Sequence, residues 1–257
     1  MKFEDMINKI TLGDCYELIK TIPDKSIDLI LTDPPYDFHC GSAHDAGIFK
    51  NRIVKPGQDI IDLKINSGIN NQILNEFIRV MKHVNIFLWC NKEQIQDYLN
   101  FFLNDNISFE ILMWHKTNPT PLTKNTYLPD TEYCLYFREK GKVLLNDGYE
   151  LKSKYWITDT NKIDKEKFEN PTIKPLGIVK KQILHTTQPS ELVLDCFCGS
   201  GTTCVACKET GRRFIGMEIN EKYYKIAVDR LNGITANGQT SIFTDFEKLT
   251  NAEKVED

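Results

Sequence analysis

The sequence predicts an α/β fold built on a doubly wound, mostly parallel sheet. Short apolar runs alternate along the chain with segments whose apolar residues recur at helical spacing, which is typical of repeated β-α-β units. Two apolar runs end in an aspartate, Asp33 or Asp195, and a turn rich in proline or glycine follows each. Because ligands of doubly wound proteins bind beyond the carboxyl ends of the strands, these two turns are the first candidates for a functional site.

The individual elements follow from the same patterns. Apolar runs predict strands at residues 27–32, 84–90, 109–115, 132–137, 192–195 and 213–219. Helical spacing predicts helices at residues 70–81, 92–104, 176–183, 202–210 and 221–231. We interpret the polar, lysine-rich residues 139–170 as a surface insertion and residues 232–257 as a C-terminal tail.

The composition is that of a soluble globular protein, with 41% hydrophobic and 26% charged residues in a chain of 257. No apolar run approaches the roughly 18 residues that a membrane helix needs. The charged N-terminal residues lack the apolar core of a signal peptide, so we expect a cytoplasmic protein without a membrane partner. The net charge of −4 gives no general argument for nucleic-acid binding, and any DNA-binding face would have to be local.

Four of the eight cysteines form a cluster, Cys196-x-Cys198 and Cys204-x-x-Cys207, whose spacing allows a zinc site. The first pair falls between a predicted strand and a glycine turn, and the second pair falls on a predicted helix. We therefore favour small buried side chains over metal ligands and predict no metal site. The histidines show no metal-ligand spacing either.

The turn that begins at Asp195 has the features of a cofactor site. Its sequence is Asp195-Cys196-Phe197-Cys198-Gly199-Ser200-Gly201-Thr202-Thr203. Two glycines before a predicted helix let a ligand approach the backbone N–H groups at the helix N-terminus. Glu218 closes the next strand, where a carboxylate can bind both hydroxyls of a ribose. The Gly-x-Gly spacing alone would also suit a dinucleotide, although Cys204 stands where that motif has its third glycine.

The turn Asp33-Pro34-Pro35-Tyr36 has the features of a site for a flat heterocycle with an amino group. Two prolines fix the backbone and remove its donors, which leaves carbonyl groups to accept hydrogen bonds. The Asp33 carboxylate and the Pro34 carbonyl would supply two acceptors, and Tyr36 would supply an aromatic face. A rigid strand end with Tyr36 in the core is the alternative interpretation.

Together the two turns resemble the hallmark motifs of the amino-group DNA methyltransferases. The Asp-Pro-Pro-Tyr motif comes before the glycine turn, as in the permuted β group of that family. Three further stretches match recurrent family segments: Leu12-Gly13-Asp14-Cys15, Trp114-His115-Lys116-Thr117-Asn118-Pro119 and Asn170-Pro171-Thr172-Ile173-Lys174-Pro175. The resemblance spans about residues 11–231, nearly the whole chain.

The resemblance implies a Rossmann-like methyltransferase domain with a seven-stranded sheet. This circularly permuted domain would occupy residues 1–231, with a catalytic half at 11–137, a recognition insertion at about 117–170 and a cofactor half at 171–231. The C-terminal tail, 232–257, would follow it.

The resemblance also implies roles for single residues. Asp33, Pro34, Pro35 and Tyr36 would form the catalytic motif, with Tyr36 stacked on an extruded base. The cofactor S-adenosylmethionine would be bound at its adenine by Asp14 and Cys15, at its ribose by Glu218, and near its methionine end by Lys174. The whole cofactor-binding set would be Asp14, Cys15, Asp33, Lys174, Asp195, Phe197, Cys198, Gly199, Ser200, Gly201, Thr202, Thr203, Glu218 and Ile219.

We therefore expect a site-specific DNA methyltransferase that transfers a methyl group from S-adenosylmethionine to N6 of a flipped-out adenine. Methylation of cytosine N4 is the nearest alternative because its chemistry is the same, although aspartate at the first position of the Pro-Pro motif is more typical of adenine enzymes. A catalytically silent DNA- or nucleotide-binding module is the alternative from a different class. The intact residues 33–36 and 199–201 argue against such a module.

The expected partner is double-stranded DNA. The family also makes a homodimer and a cognate restriction endonuclease candidate partners, although the sequence shows no interface signature. We expect target recognition within residues 117–170, aided by the long loop at 37–69. Basic residues of the loop and of residues 138–154 could contact phosphates or simply lie on a solvated surface: Lys50, Arg52, Lys55, Lys64, Arg138, Lys140, Lys142, Lys152 and Lys154.

Overall fold

Eight strands form a single sheet in the computed structural model, which describes residues 1–36, 68–119, 127–170 and 172–234. The strands are β1 Lys9–Leu12, β2 Leu29–Thr32, β3 Asn85–Cys90, β4 Ile107–Lys116, β5 Thr131–Glu139, β6 Tyr155–Thr158, β7 Leu192–Asp195 and β8 Arg213–Glu218. The α-helices are α1 Phe3–Met6, α2 Cys15–Leu18, α3 Asn71–Val80, α4 Ile95–Phe102, α5 Lys162–Lys167, α6 Leu176–Thr186, α7 Thr202–Glu209 and α8 Glu221–Leu231. Two short 3₁₀ turns lie at Ile19–Thr21 and Tyr149–Lys152.

The strand order across the sheet is β1-β8-β7-β2-β3-β5-β4-β6. The first five strands in this order are mutually parallel, β5 is antiparallel to both of its neighbours, and β6 is parallel to β4. The chain continues from β2 to β3 on one side and from β7 to β8 on the other. The strand order therefore reverses between β2 and β7, which is where doubly wound proteins bind their ligands.

Helices cover both faces of the sheet because its central strands are apolar on both sides. Every residue of β2, β3 and β7 is buried. On β2, Ile30 belongs to the core formed with α2, α3 and α4. Its neighbours Leu29 and Leu31 point the other way, into the core formed with α6, α7 and α8.

Asparagine side chains begin two of these helices. The Asn70 side chain accepts hydrogen bonds from the Gln72 and Ile73 amides at the start of α3, over 3.0 and 3.4 Å. The Asn220 side chain accepts one from the Tyr223 amide at the start of α8, over 3.1 Å. Both caps satisfy amides that lack a partner within the helix.

The structure confirms the mostly parallel, doubly wound sheet, but the predicted number of seven strands is wrong. One strand that the sequence did not predict is β6, which lies within residues 139–170, the segment that we interpreted as a surface insertion. This strand pairs with β4 at the edge of the sheet and alternates exposed Tyr155 and Ile157 with buried Trp156. It therefore lacks the continuous apolar run of a central strand. Within the described ranges, no helix is long and apolar enough to cross a membrane.

Candidate active site

The carboxyl ends of β2 and β7 lie side by side and share a side-chain hydrogen bond. Leu29 pairs with Val193 and Ile30 with Leu194 in the parallel ladder. Beyond this ladder, Thr32 Oγ1 donates to Asp195 Oδ1 over 2.7 Å. The bond connects residues 163 positions apart in sequence. It places the Asp-Pro-Pro-Tyr motif next to the glycine turn.

Asp195 is a buried carboxylate with several donors around it. The Phe197 amide donates to the same Oδ1 as Thr32, over 3.1 Å. Burial raises the pKa of Asp195 to about 6, although hydrogen bonds from Thr203, Thr32 and the Phe197 amide oppose this rise. The carboxylate therefore ties together the end of β2, the end of β7 and the first residues of the turn.

Gly199 and Gly201 give the turn its shape. Both have left-handed backbone conformations, with φ values of 52° and 79°. A β-carbon at Gly201 would also lie 3.0 Å from Cβ of Ala227 in α8. Because α7 begins at Thr202, the preceding Gly201 has no side chain with which to cap the first amides of the helix. The turn thus presents backbone donors at a helix N-terminus.

Glu218 lies at the end of β8 and accepts hydrogen bonds from the turn. Its Oε2 accepts from the Gly199 amide and its Oε1 from the Asn220 amide, each over 2.8 Å. Burial raises the pKa of this carboxyl group. Each carboxylate oxygen has a second lone pair, so both can also accept from the hydroxyls of a ribose.

The end of β1 lies next to Glu218. Leu12 pairs with Glu218, and the Gly13 amide donates to the Glu218 carbonyl over 2.9 Å. Asp14 begins α2 by accepting from the Tyr16 amide over 2.9 Å. Burial raises the pKa of the adjacent Cys15 thiol to about 12, so this cysteine is not a thiolate. The structure therefore brings three of the predicted cofactor residues, Asp14, Cys15 and Glu218, to one edge of the sheet.

Two side chains outside the predicted set, Asn170 and Arg230, form hydrogen bonds with the glycine turn. Asn170 Nδ2 donates to Ser200 Oγ over 3.0 Å. Arg230 of α8, which is buried, donates to the Ser200 carbonyl over 3.3 Å and to Thr202 Oγ1 over 2.8 Å. The Arg230 guanidinium also lies 4.4 Å from the centre of the Phe168 ring. The turn is thereby attached both to α8 and to the segment that precedes α6.

Asp33 follows β2 directly and lies beside a buried lysine. Lys174 Nζ is 2.5 Å from Asp33 Oδ2 and 3.3 Å from Tyr36 Oη. Asp33 Oδ1 is inaccessible to water and has no hydrogen-bond partner within the described part of the chain. One carboxylate oxygen is therefore held by the lysine, and the other remains as an acceptor.

The lysine belongs to a chain of alternating charges. Glu132 Oε2 lies 3.1 Å from Lys174 Nζ, and Glu132 Oε1 lies 2.6 Å from Lys116 Nζ. The side chains of Lys174, Lys116 and Glu132 are 8%, 16% and 23% exposed. With Asp33 the chain contains two cations and two anions. This balance is what partly buried charges require.

The neighbours in this chain of charges determine where its protons bind. Burial by itself raises the pKa of Glu132, but Lys174 and Lys116 lower it to about 2. Burial lowers the pKa of Lys174, but Asp33 and Glu132 raise it above its ordinary value. The pKa of Asp33 is raised by burial and by Glu132, against the opposing effect of Lys174. At neutral pH, Glu132 is therefore ionised and Lys174 is protonated.

Aromatic and amide groups complete the pocket around Asp33. The Lys174 ammonium lies 5.1 Å from the centre of the Trp89 ring and 5.5 Å from that of Tyr36. Gln94, a buried residue just before α4, donates from Nε2 to the Pro35 carbonyl over 3.2 Å. The Pro-Pro segment is thus held by a hydrogen bond from outside the motif.

The sequence analysis gave no role to five supporting residues, Glu132, Lys116, Gln94, Asn170 and Arg230, although Lys116 and Asn170 lie in stretches that match family segments. Of these, Glu132 offered one signal, since it is an acidic residue at the start of an otherwise apolar predicted strand. The loop cations Lys50, Arg52, Lys55 and Lys64 lie outside the described residues, as do residues 120–126, Pro171 and 235–257. Among the other basic residues, Lys152 and Lys154 pair on the surface with Asp147 and Glu110, over 3.0 and 2.6 Å.

The four clustered cysteines are buried beside the turn. A β-carbon at Gly216 of β8 would lie 2.7 Å from Cys204 Sγ and 3.4 Å from Cys198 Sγ, so these thiols pack against the glycine. Burial raises the pKa of the Cys196 and Cys207 thiols. In the portion of the chain that the structure describes, no three histidine, cysteine or acidic side chains are grouped so as to hold a metal ion.

Known proteins share this fold. The family described as DNA methylase, whose name refers to N6 and N4 methyltransferases, matches residues 27–229. The chain is 32% identical over 245 residues to the type II methyltransferase M2.DpnII of Streptococcus pneumoniae, over 87% of this chain and 90% of that protein. It is 32% identical over 239 residues to the type II methyltransferase M2.LlaDCHI of Lactococcus lactis subsp. cremoris, over 86% and 87%. The crystal structure of the M1.HpyAVI–SAM complex superimposes with a TM-score of 0.61 at 25% identity, over 87% of this chain and 99% of that one.

Proposed function

Because this chain belongs to the DNA methylase family, we propose that it transfers the methyl group of S-adenosylmethionine to N6 of an adenine in double-stranded DNA. The observation that carries this proposal is the Thr32–Asp195 hydrogen bond between β2 and β7, where the strand order reverses. It joins the Asp-Pro-Pro-Tyr turn, which suits an amino group on a flat ring, to the glycine turn, which suits a ribose and a carboxylate.

The residues around the glycine turn fit S-adenosylmethionine. Glu218 has acceptors for the ribose hydroxyls, and Asp14 with the Cys15 amide lies at the next strand end, where the adenine would bind. The backbone amides at the start of α7 suit the carboxylate of the methionine part. When bound, this cofactor supplies a methyl group on a positively charged sulfur, which is a good electrophile.

Asp33 and the Pro34 carbonyl would prepare the target amino group. By accepting hydrogen bonds from its two N–H groups, Asp33 and the Pro34 carbonyl would favour a more tetrahedral nitrogen whose lone pair points at the methyl carbon. The nitrogen–carbon bond would form as the sulfur–carbon bond breaks, a neutral thioether would be left, and the proton lost by the nitrogen would pass to the Asp33 carboxylate and from there to water. Tyr36 would stack on the base, which must leave the duplex at a cost of a few kcal/mol. This chemistry needs no nucleophile from the enzyme.

We propose adenine as the target base because the first residue of the Pro-Pro motif is Asp33. Cytosine N4 remains the alternative, since cytosine also carries an amino group on a six-membered ring. The open acceptor at Asp33 Oδ1 supports an enzyme over a silent binding module, because methyl transfer requires an acceptor for the target amino group at this position.

We also propose where DNA and protein partners bind. Target recognition would involve residues 117–170, which follow the end of β4 at Lys116 and include β6, which ends at Thr158. Both strands belong to the sheet that supports the catalytic motif, so a recognition segment there would be fixed relative to Asp33. A homodimer and a cognate restriction endonuclease stay predictions from the family resemblance.

The direct test is product analysis with Asp33→Asn beside the wild type. Each protein is incubated with S-adenosylmethionine and unmethylated genomic DNA, and the nucleosides are identified by mass spectrometry. We expect N6-methyladenine from the wild type and a rate at least about 100-fold lower from Asp33→Asn, the loss of about 2.7 kcal/mol of transition-state stabilisation. Calorimetry should show cofactor affinity within about threefold, since the substitution keeps the shape of the side chain.

Asp24→Asn is the matched control, because the Asp24 side chain is 73% exposed and lies outside both motifs and outside residues 117–170. It should behave as the wild type. Formation of N4-methylcytosine would keep the mechanism and overturn the base assignment. A wild-type protein that binds the cofactor but methylates neither DNA nor an RNA control would overturn the proposed function.

A further inference from the structure

Lys174 lies between two carboxylates that come from different parts of the chain. Three oxygen atoms surround its Nζ, at 2.5 Å from Asp33, 3.1 Å from Glu132 and 3.3 Å from Tyr36. An ammonium group has three donors, and the hydrogen bonds to Asp33 and Tyr36 use two of them. The Glu132 oxygen lies within ion-pair distance of Lys174 Nζ but lacks the geometry of a hydrogen bond. The shortest hydrogen bond of the ammonium group is the one to Asp33. The two carboxylates therefore share one cation unequally.

Stability alone does not explain why Glu132 is there. A partly buried ion pair contributes little more to folding than a well-packed apolar pair, because the desolvation of the charges offsets their attraction. Glu132 is the second residue of β5 and pairs with Trp114, and its other oxygen lies 2.6 Å from Lys116 Nζ. An apolar side chain at this position alone would leave the partly buried Lys116 and Lys174 without this carboxylate, so that comparison holds only when all the charges are replaced together. The charge itself is what acts on Lys174.

We propose that Glu132 is a positioning residue for methyl transfer, which shares the Lys174 ammonium with Asp33 and thereby keeps Asp33 Oδ1 a strong acceptor for the target amino group. This inference rests on the proposed function. Glu132 acts through Lys174 and need not touch the base or the cofactor. Without the glutamate charge, Lys174 would neutralise Asp33 more completely and weaken its hydrogen bond to the amino group.

The charges around Asp33 determine the direction of this effect. The titratable and charged groups that act on Asp33, or on which it acts, come from several elements: Lys174, Glu132, Tyr36, Cys90, Cys134 and Asp195. Glu132 raises the pKa of Asp33 and Lys174 lowers it. Removing the Glu132 charge therefore lowers the pKa of Asp33. Because Asp33 acts as the carboxylate, the acid limb of the rate profile moves to lower pH.

The experiment compares Glu132→Gln with Glu139→Gln in the full-length protein. Both glutamates belong to β5 and both side chains are 23% exposed, but Glu139 lies at the other end of the strand, 3.4 Å from His83. We expect Glu132→Gln to lower the plateau kcat about 10-fold and to move its acid limb down by about half a pH unit or more. Cofactor affinity should stay within about twofold of the wild type. Glu139→Gln should change none of these quantities.

A second measurement does not depend on turnover. Carbon-13 NMR of aspartate carboxyl groups, with the Asp33 signal assigned by its loss in Asp33→Asn, should show a lower titration midpoint for Asp33 in Glu132→Gln. If Glu132→Gln folds poorly, Glu132→Asp retains the charge and should keep the wild-type acid limb. An unchanged pH profile and an unchanged Asp33 midpoint in an active Glu132→Gln enzyme would overturn the role of Glu132 and leave the proposed function intact. A wild-type enzyme that methylates no base would overturn the proposed function, and the catalytic role of Glu132 with it.

Discussion

Replacing Thr32 by valine tests the hydrogen bond that joins the two halves of the site. Valine keeps the branched shape and removes the hydroxyl that donates to Asp195 Oδ1 over 2.7 Å. Thr32 is fully buried, so water cannot replace the lost donor. Asp195 would retain its hydrogen bond from the Phe197 amide. The substitution thus removes one donor and leaves the pairing of β2 with β7 in place.

The expected loss is that of a hydrogen bond to a charged group, about 1.5–3 kcal/mol of unfolding free energy at pH 8. For a chain of this size the melting temperature falls by about 2–4 °C for each kcal/mol. Thr186→Val in α6 is the matched control. Thr186 is also buried, but its hydroxyl donates to the Gln182 carbonyl of its own helix, and that carbonyl keeps its backbone partner. The control should lose less than about 1 kcal/mol.

The loss should depend on pH because the acceptor titrates. Burial raises the pKa of Asp195 from 3.8 to about 6, so the folded protein binds this proton more tightly than the unfolded chain does. The stabilisation from that proton is complete below pH 3.8 and is lost as the pH rises through about 6. Thr32 opposes this loss by stabilising the ionised carboxylate. The penalty of Thr32→Val is therefore largest above pH 6 and smaller at pH 5.

Urea unfolding of both variants and the wild type at pH 8 and pH 5 provides the assay. We expect the Thr32→Val penalty to exceed that of Thr186→Val at pH 8, and to shrink at pH 5 while the control stays constant. Equal penalties for the two variants at pH 8 would refute the claim that this bond stabilises the site. Equal Thr32→Val penalties at both pH values would refute the ionised state of its acceptor.

Three other substitutions test separate features of the site. Gly201→Ala should lose about 2–5 kcal/mol of unfolding free energy in the same urea assay, because the backbone there is left-handed and a β-carbon would contact Ala227. Gly211 is also left-handed but has open space around it, so Gly211→Ala should lose only about 1–2 kcal/mol. Similar losses at the two glycines would contradict the close contact. Gln94→Leu releases the Pro35 carbonyl and should lower kcat about 10-fold at nearly constant cofactor affinity in calorimetry; a loss of affinity alone would contradict that role. Arg230→Met removes two hydrogen bonds from the glycine turn and should weaken cofactor binding by about 10-fold, and unchanged binding would show that the turn holds its shape without them.

The central elements of the fold could be predicted from the sequence because their signals are local. Strand β7 lies at Leu192–Asp195 and helix α8 at Glu221–Leu231, the predicted ranges in both cases. A continuous apolar run between turn residues needs little tertiary information to be assigned as a buried strand. The aspartates at the carboxyl ends of β2 and β7, Asp33 and Asp195, then indicated the site, since parallel neighbours align these ends.

The peripheral strands could not be predicted in the same way. Strands β1 and β6 have four residues each and lie at the two edges of the sheet, so each gains its conformation from a single neighbour. Trp156 is buried in β6, but the exposed residues on either side hide that fact in the sequence. Pairing with β4, a tertiary interaction, decides the structure there.

The chain of charges around Asp33 was beyond sequence analysis for another reason. Lys116, Glu132 and Lys174 lie on β4, on β5 and in the segment before α6, and no periodic pattern connects them. The antiparallel pairing of β4 with β5 sets the first two as diagonal neighbours. Lys174 then meets Glu132 only because the segment before α6 returns to the end of β2. The resemblance implied a place for Lys174 near the methionine end of the cofactor, and the structure adds that its ammonium lies 2.5 Å from Asp33 Oδ2.

The separation of β2 from β7 along the chain has a consequence for synthesis on the ribosome. At about 5–20 residues per second, the 163 positions between Thr32 and Asp195 take roughly 8–30 seconds to translate. Once β3 has been made, the apolar strand β2 can pair with it, but the other edge of β2 has no partner until β7 is made. Strand β1 waits longer still for β8. We expect nascent chains halted before residue 192 to bind chaperones that recognise exposed apolar strands, and to lose that binding once β7 and β8 have emerged.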